Sequence, residues 1–212
     1  VATNNPTEVK NMAFTLRSAP ASPFARKVRI GAHVVGLIDD IALEGGPTGD
    51  DDVIYTQNPL GKIPVLVTED GKAIYDSPVI LEYLDAITTP GTLIPTEIGK
   101  RFDALRLQSL GDGILDAALL IVYEGRYRPD QDLYEPWLDF QRGKIERTLD
   151  VLAADPPTVE PITVGNITLA CALGYLDFRK QVDWRARTPA LIAWLDAFAA
   201  ACPGFDETRP DG

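Results

Sequence analysis

The chain has 212 residues, 45% of them hydrophobic and 24% charged, enough for two modest domains with real cores. Its formal net charge of −11 sets it against phosphate backbones and anionic lipid, so neither nucleic acid nor a membrane surface is an expected partner. Two distant cysteines, Cys171 and Cys202, and a single histidine, His33, leave no disulfide framework, dithiol motif or zinc-ligand cluster, so no metal is expected.

Residues 1–11 are polar, without the basic flank and apolar stretch of a secretory signal, and apolar patterning begins near Met12. Residues 13–18 read as a short strand, and Pro23 to about Val35 as a helix with Phe24, Val28, Ala32 and Val35 on one stripe. Ile38–Glu44 reads as a second strand, ended by Gly45-Gly46-Pro47. Ile63–Val67 and Lys72–Tyr75 are β-like runs joined by Glu69-Asp70-Gly71, a hairpin signal. Pro78–Asp85 reads as helix, and the Thr, Pro and Gly of residues 88–96 as a linker. Everything beyond reads as helix: Gly99–Tyr123, with an apolar stripe from Phe102 to Ile121, then Leu133–Leu152, Thr163–Gln181 and Pro189–Ala201. No apolar run approaches the ~18 residues of a membrane span. The expectation is an α+β N-terminal domain over residues 12–87 and an all-α C-terminal domain over 97–205.

Three motifs carry chemistry. Ser22-Pro23 is an N-cap serine followed by proline at a helix start. The free N–H groups and positive dipole end there favour an anion, a thiolate included. Ala19-Pro20-Ala21 leaves room for a ligand, while Arg26, Lys27 and Arg29 add charge that reads largely as solvated surface. Ser22 is a poor nucleophile candidate, because His33 lies 11 residues further along the same helix, roughly 16 Å away.

In Asn58-Pro59-Leu60-Gly61-Lys62-Ile63-Pro64, a proline opens the third strand. A cis Ile63–Pro64 bond would turn the backbone of Ile63 out of the ladder, though only ~5–6% of such bonds are cis. In Asp76-Ser77-Pro78, Ser77 is expected to cap a helix whose N–H groups suit a carboxylate, with Asp76 set to pair with an ammonium. Together they would recognise an α-amino acid. Each motif has a plain capping or strand-entry reading of its own.

In this order and at these spacings, the motifs resemble the glutathione transferase superfamily, in particular its bacterial members with Ser-Pro-Phe near the N-terminus. The resemblance continues through residues 112–118 and 169–178. It implies a thioredoxin-like N-terminal domain, an all-helical C-terminal domain and a cytoplasmic homodimer. It also implies glutathione as co-substrate, with transfer to a small electrophile, as in detoxification. On the matching positions it implies Ser22 as the catalytic residue, with Phe24, Lys62, Ile63, Pro64, Asp76 and Ser77 at the glutathione site. A non-enzymatic partner-binding protein on the same fold is the alternative. Thr163-Val164-Gly165-Asn166 resembles the family's capping box, with Ile162 and Ile167 as staple. The family usually has Asp at its last position, so Asn166→Asp is expected to stabilise by ~0.3–1 kcal/mol. Tyr123, Tyr127 and Trp137 are candidates for the electrophile side, and Asp50-Asp51-Asp52 lacks the spacing of a calcium loop.

Overall fold

The computed structural model describes residues 13–46 and 53–210. The N-terminal 11 residues and the Asp50-Asp51-Asp52 run lie outside them. The element order is β1 (Phe14–Arg17), α1 (Pro23–Val34), β2 (Ile41–Glu44), α2 (Ile54–Gln57), β3 (Val65–Thr68), β4 (Ala73–Ile74) and α3 (Ser77–Ile87). Six of these match sequence expectation. The seventh, α2, is one helical turn without a readable period, and Ile38–Asp40 is a 3₁₀ turn rather than the start of β2.

The sheet runs β2-β1-β3-β4. Strands β1 and β2 are parallel, with Arg17 opposite Glu44. Strand β3 is antiparallel to β1, with Arg17 opposite Val65, and β4 is antiparallel to β3, with Leu66 opposite Ile74. These registers place the ends of β1, β2 and β4 and the start of β3 at one end of the sheet. The segments that follow or precede them, 18–22, 45–46, 75–77 and 62–64, therefore converge there. Leu16, Val28, Ala32, Ile41, Leu66, Ile74, Ile80 and Leu84 fill the layer between the sheet and helices α1 and α3.

The C-terminal domain comprises α4 (Ile98–Tyr127), α5 (Glu135–Ala154), α6 (Val164–Arg179), a single turn α7 (Trp184–Arg187) and α8 (Pro189–Ala201). Helix α6 is its axis and is buried from Val164 to Leu173. Close approach of α4 requires glycine at two points. A Cβ on Gly165 would lie 2.6 Å from the Ala104 carbonyl, and one on Gly111 2.7 Å from Thr168. Phe102 does not join the stripe read from the sequence: it is 61% exposed, because the buried face of α4 runs instead through Ala104, Gln108, Gly111 and Leu115.

The α3–α4 loop is fastened rather than slack. The buried Asp85 carboxylate accepts from Gly91 N (3.0 Å) and Leu93 N (2.6 Å), and the Leu93 carbonyl accepts from Val164 N (3.0 Å). Leu93 itself is fully buried against the α1–α6 core.

Candidate functional site

The site forms where the four segments converge. Ser22 is the N-cap of α1, with extended backbone (φ −83°, ψ 114°), and its Oγ accepts from Ala25 N at 3.2 Å. That bond uses a lone pair and leaves the hydroxyl proton free to donate outward. Pro23 occupies the first helical turn, where its missing N–H costs nothing. Ala19 and Ile63 both approach Gly46, lying 3.7 and 3.4 Å from where its Cβ would stand, so the β1–α1, β2 and β3 loops touch at this point.

The Ile63–Pro64 and Tyr75–Asp76 peptide bonds are both cis. Ile63 lies outside every strand register, two residues before β3. Its approach is shaped by Asn58, a buried residue whose Nδ2 donates to Lys62 O (2.9 Å) and whose Oδ1 accepts from Leu60 N (3.0 Å). Gly61 completes the turn at φ +61°, against the ring of Tyr55.

Ser77 is not the cap of α3. Asp76 takes that position and Ser77 is the first helical residue, buried with 1% of its surface exposed. Its Oγ has no hydrogen-bond partner among the described residues. Such a group carries a desolvation cost that a ligand atom would relieve. Asp76 is exposed, and its side chain makes no capping bond.

The basic residues after Ser22 are not solvated surface. Lys27 is fully buried and its Nζ lies 2.5 Å from Asp112 Oδ1 on α4. The Arg26 guanidinium donates to Phe205 O (2.8 Å) and Thr208 Oγ1 (3.2 Å) and lies over the Phe205 ring. Sequence patterning missed both because burial of a cation depends on distant partners. Burial pushes the Asp112 carboxyl above the usual carboxylate range, against the pull of Lys27. The same cause raises Asp116, one turn further along α4, against Lys62 and Lys27, while Asp76 repels both. Asp76, Lys62, Lys27, Asp112 and Asp116 thus form one electrostatic neighbourhood across the two domains. His33 sits at the edge of the core beside Gly204, with Glu207 at 3.8 Å, and is no partner for Ser22.

Of the aromatic candidates, Tyr123 is half-buried, and burial followed by Tyr127 and Tyr175 pushes its hydroxyl up. Tyr127 is 72% exposed. Trp137 stacks on Phe140 (6.0 Å) on the outer side of α5. No cluster of three or more potential metal ligands occurs among the described residues. No helix there is long and apolar enough to cross a membrane.

Comparison with known proteins agrees with this layout. Residues 21–87 match the glutathione S-transferase N-terminal domain, and residues 135–197 match the C-terminal domain. An uncharacterized GST-like protein of Escherichia coli K12, YibF, is 36% identical over 194 residues, covering 89% of this chain and 95% of its own. A glutathione transferase family member from Pseudomonas fluorescens Pf-5, solved with bound glutathione, is 40% identical with a TM-score of 0.86, over 94% of this chain and 100% of that one. A glutathione S-transferase from Methylobacillus flagellatus KT, solved with glutathione bound, is 34% identical with a TM-score of 0.83, over 93% and 100%.

Proposed function

Because the chain belongs to the glutathione S-transferase family, we propose that it binds glutathione at the converging loops and delivers the thiolate to a small electrophile. The observation that carries this reading is the Ser77 hydroxyl, buried and unpartnered at the start of α3 beside the exposed Asp76. A free α-amino acid fits both: its carboxylate takes the Ser77 hydroxyl and the helix N–H groups, and its ammonium takes Asp76. Glutathione has such an end. With that end anchored, the backbone of Ile63 beside Pro64 holds the cysteinyl unit, and Lys62 faces the glycyl carboxylate. Phe24 walls the pocket behind Ser22.

Ser22 then does the chemistry. Its free proton donates to the sulfur, and the N-terminus of α1 adds positive potential, so the thiol ionises below its ordinary pKa of about 8.5. The thiol proton leaves to solvent and the sulfur attacks. A serine cannot form a mixed disulfide, so thiol-transferase activity is expected to be slight. A hydrogen bond to a charged group contributes about 1.5–3 kcal/mol. Ser22→Ala should therefore lower kcat/KM roughly 10- to 150-fold and move the rate profile to higher pH.

A homodimer fits the exposed apolar Val79, Ile98 and Phe102 around the Arg101–Glu82 bridge of 3.1 Å. Light scattering of the wild type and of Phe102→Glu tests it.

Calorimetric titration with glutathione decides the main reading. Ser77→Ala and Asp76→Ala should each weaken binding about tenfold or more, with Ser77→Ala leaving the unliganded protein as stable as the parent or more so, because it removes a buried hydroxyl without a partner among the described residues. A folded wild type that does not bind glutathione would refute the enzyme and favour a partner-binding protein.

A further inference from the structure

The three helices around the site have a readable register. Helix α1 runs antiparallel to α6: the Arg26 guanidinium lies against Gly174, and Val34 shares a surface hollow with Ile162. Helix α4 runs parallel to α6, since Ala104 meets Gly165 and Gly111 meets Thr168. Gln181, just past α6, extends this match: exchanging the O and N of its side-chain amide lets it donate to Ala118 O (3.1 Å) and accept from Val122 N (3.3 Å). Ser22 is four residues before Arg26, so the level of Ser22 corresponds to the last turn of α6, four residues after Gly174. The second half of α4 reaches the same level.

At that level stands Arg179. Its guanidinium lies over the rings of Phe178 (4.5 Å) and Tyr175 (5.4 Å), and its Nε donates to the Tyr175 hydroxyl (3.3 Å). It is half-buried and has no carboxylate partner among the described residues. By contrast, the neighbouring Asp177 is taken by Arg185 (2.7 Å) and Trp184 (2.8 Å). A guanidinium held over aromatic rings, with its Nε on the Tyr175 hydroxyl, keeps its outer N–H fork for a bidentate anion. In a chain of net charge −11, with Asp112 and Asp116 on the same side, an anionic substrate needs such a local cation.

We propose that Arg179 is a specificity-determining residue that binds a carboxylate on the electrophile, so that the preferred substrates are aromatic or unsaturated acids rather than neutral compounds. This rests on the glutathione-transfer reading above. For an aryl chloride the C–S bond forms, the C–Cl bond breaks, chloride leaves with its electron pair, and the thiol proton passes to solvent. Glutathione also carries carboxylates, and the test separates that source.

The probes are glutathione itself, its conjugate formed by displacing chloride from 4-chloro-3,5-dinitrobenzoate, and the corresponding carboxamide conjugate. Binding of each is measured by calorimetry on the wild type, Arg179→Gln and Arg179→Lys, with thermal melts to confirm folding. The wild type should bind the acid at least tenfold more tightly than the amide. Arg179→Gln should erase that difference, Arg179→Lys should restore part of it, and glutathione affinity should stay within twofold throughout. Equal affinity of acid and amide for the wild type, with glutathione bound, overturns the assignment alone. A loss of glutathione affinity in Arg179→Gln overturns it in favour of the glutathione carboxylate. Failure of the wild type to bind any of the three overturns this proposal together with the reading beneath it.

Discussion

Replacing Asp112 by asparagine leaves the Lys27 ammonium buried without a counter-charge. Removing one member of a buried ion pair typically costs about 3–5 kcal/mol. Here the Lys27 side chain has 0% exposure and Asp112 retains 21%, with Asp116 close enough to compensate in part. The expected loss is therefore near the lower bound, about 3 kcal/mol. For a chain of this size that corresponds to a melting temperature lower by roughly 6–12 °C, or a urea midpoint lower by about 1 M at an m-value of about 3 kcal/mol/M. Lys27→Met is expected to cost less than Asp112→Asn, because the carboxyl left behind keeps contact with water and can take a proton. The double variant Lys27→Met/Asp112→Asn should be more stable than Asp112→Asn alone, the signature of a coupled pair. Urea unfolding of the three variants measures all of this. A cost below 1 kcal/mol for Asp112→Asn, or a double variant no better than that single one, would refute the account of a buried, mutually dependent pair.

Gly165→Ala should destabilise by about 3 kcal/mol through overpacking, since its Cβ would strike the Ala104 carbonyl, whereas Gly113→Ala, with nothing within 4 Å, should stabilise by about 0.5–1 kcal/mol. Thermal melts that rank the two alike would contradict this packing. Asn166→Asp should destabilise by about 1–3 kcal/mol, because the Asn166 Nδ2 donates to Thr158 O at 2.7 Å and a carboxylate would face that carbonyl without a proton. Asp116 is raised from 3.8 by burial, so the folded state holds its proton more tightly than the unfolded one, and stability falls as pH climbs from 3.8 through the raised value. Asp116→Asn should thus be more stable than the parent at neutral pH by about 0.5 kcal/mol after solvent screening, an advantage that fades on acidification towards 3.8; a difference that instead grows in acid would reverse the sign. Burial pushes the Cys171 thiol up to about 11 and Cys202 up to about 12, so neither should react with a disulfide reagent in the native state, and both should react once unfolded.

Periodicity and turn chemistry made most of the elements legible, because each strand and long helix repeats its pattern over several residues. Helices α2 and α7 escaped, since a single turn has no period to read. The candidate site was legible as an ordered set of short motifs, and the registers explain why distant segments with helix-start and strand-start signals converge. What the sequence hid was burial. Arg26 and Lys27 look like any basic pair on a helix, and only partners 179 and 85 residues away reveal that they lie inside. Asn166 misled for the same reason: its capping oxygen was visible in the pattern, but its donation to Thr158, eight residues back, was not. The Ser77 side chain reads as a cap from its sequence neighbours, yet the helix starts one residue earlier and places it inside.

The Arg26 contacts to Phe205 and Thr208 have a consequence for how the molecule is made. Synthesis proceeds from the N-terminus, so α1 leaves the ribosome long before the turn that receives its guanidinium exists. Until then the N-terminal domain carries two cations on the face that will be buried, with neither Asp112 nor the 205–208 turn to meet them. Local contacts can form the sheet early, but the helix that bears Ser22 gains its Arg26 anchors only when residues 205–208 arrive. The surroundings of the Ser22 helix are therefore unfinished until residues 205–208 have been made.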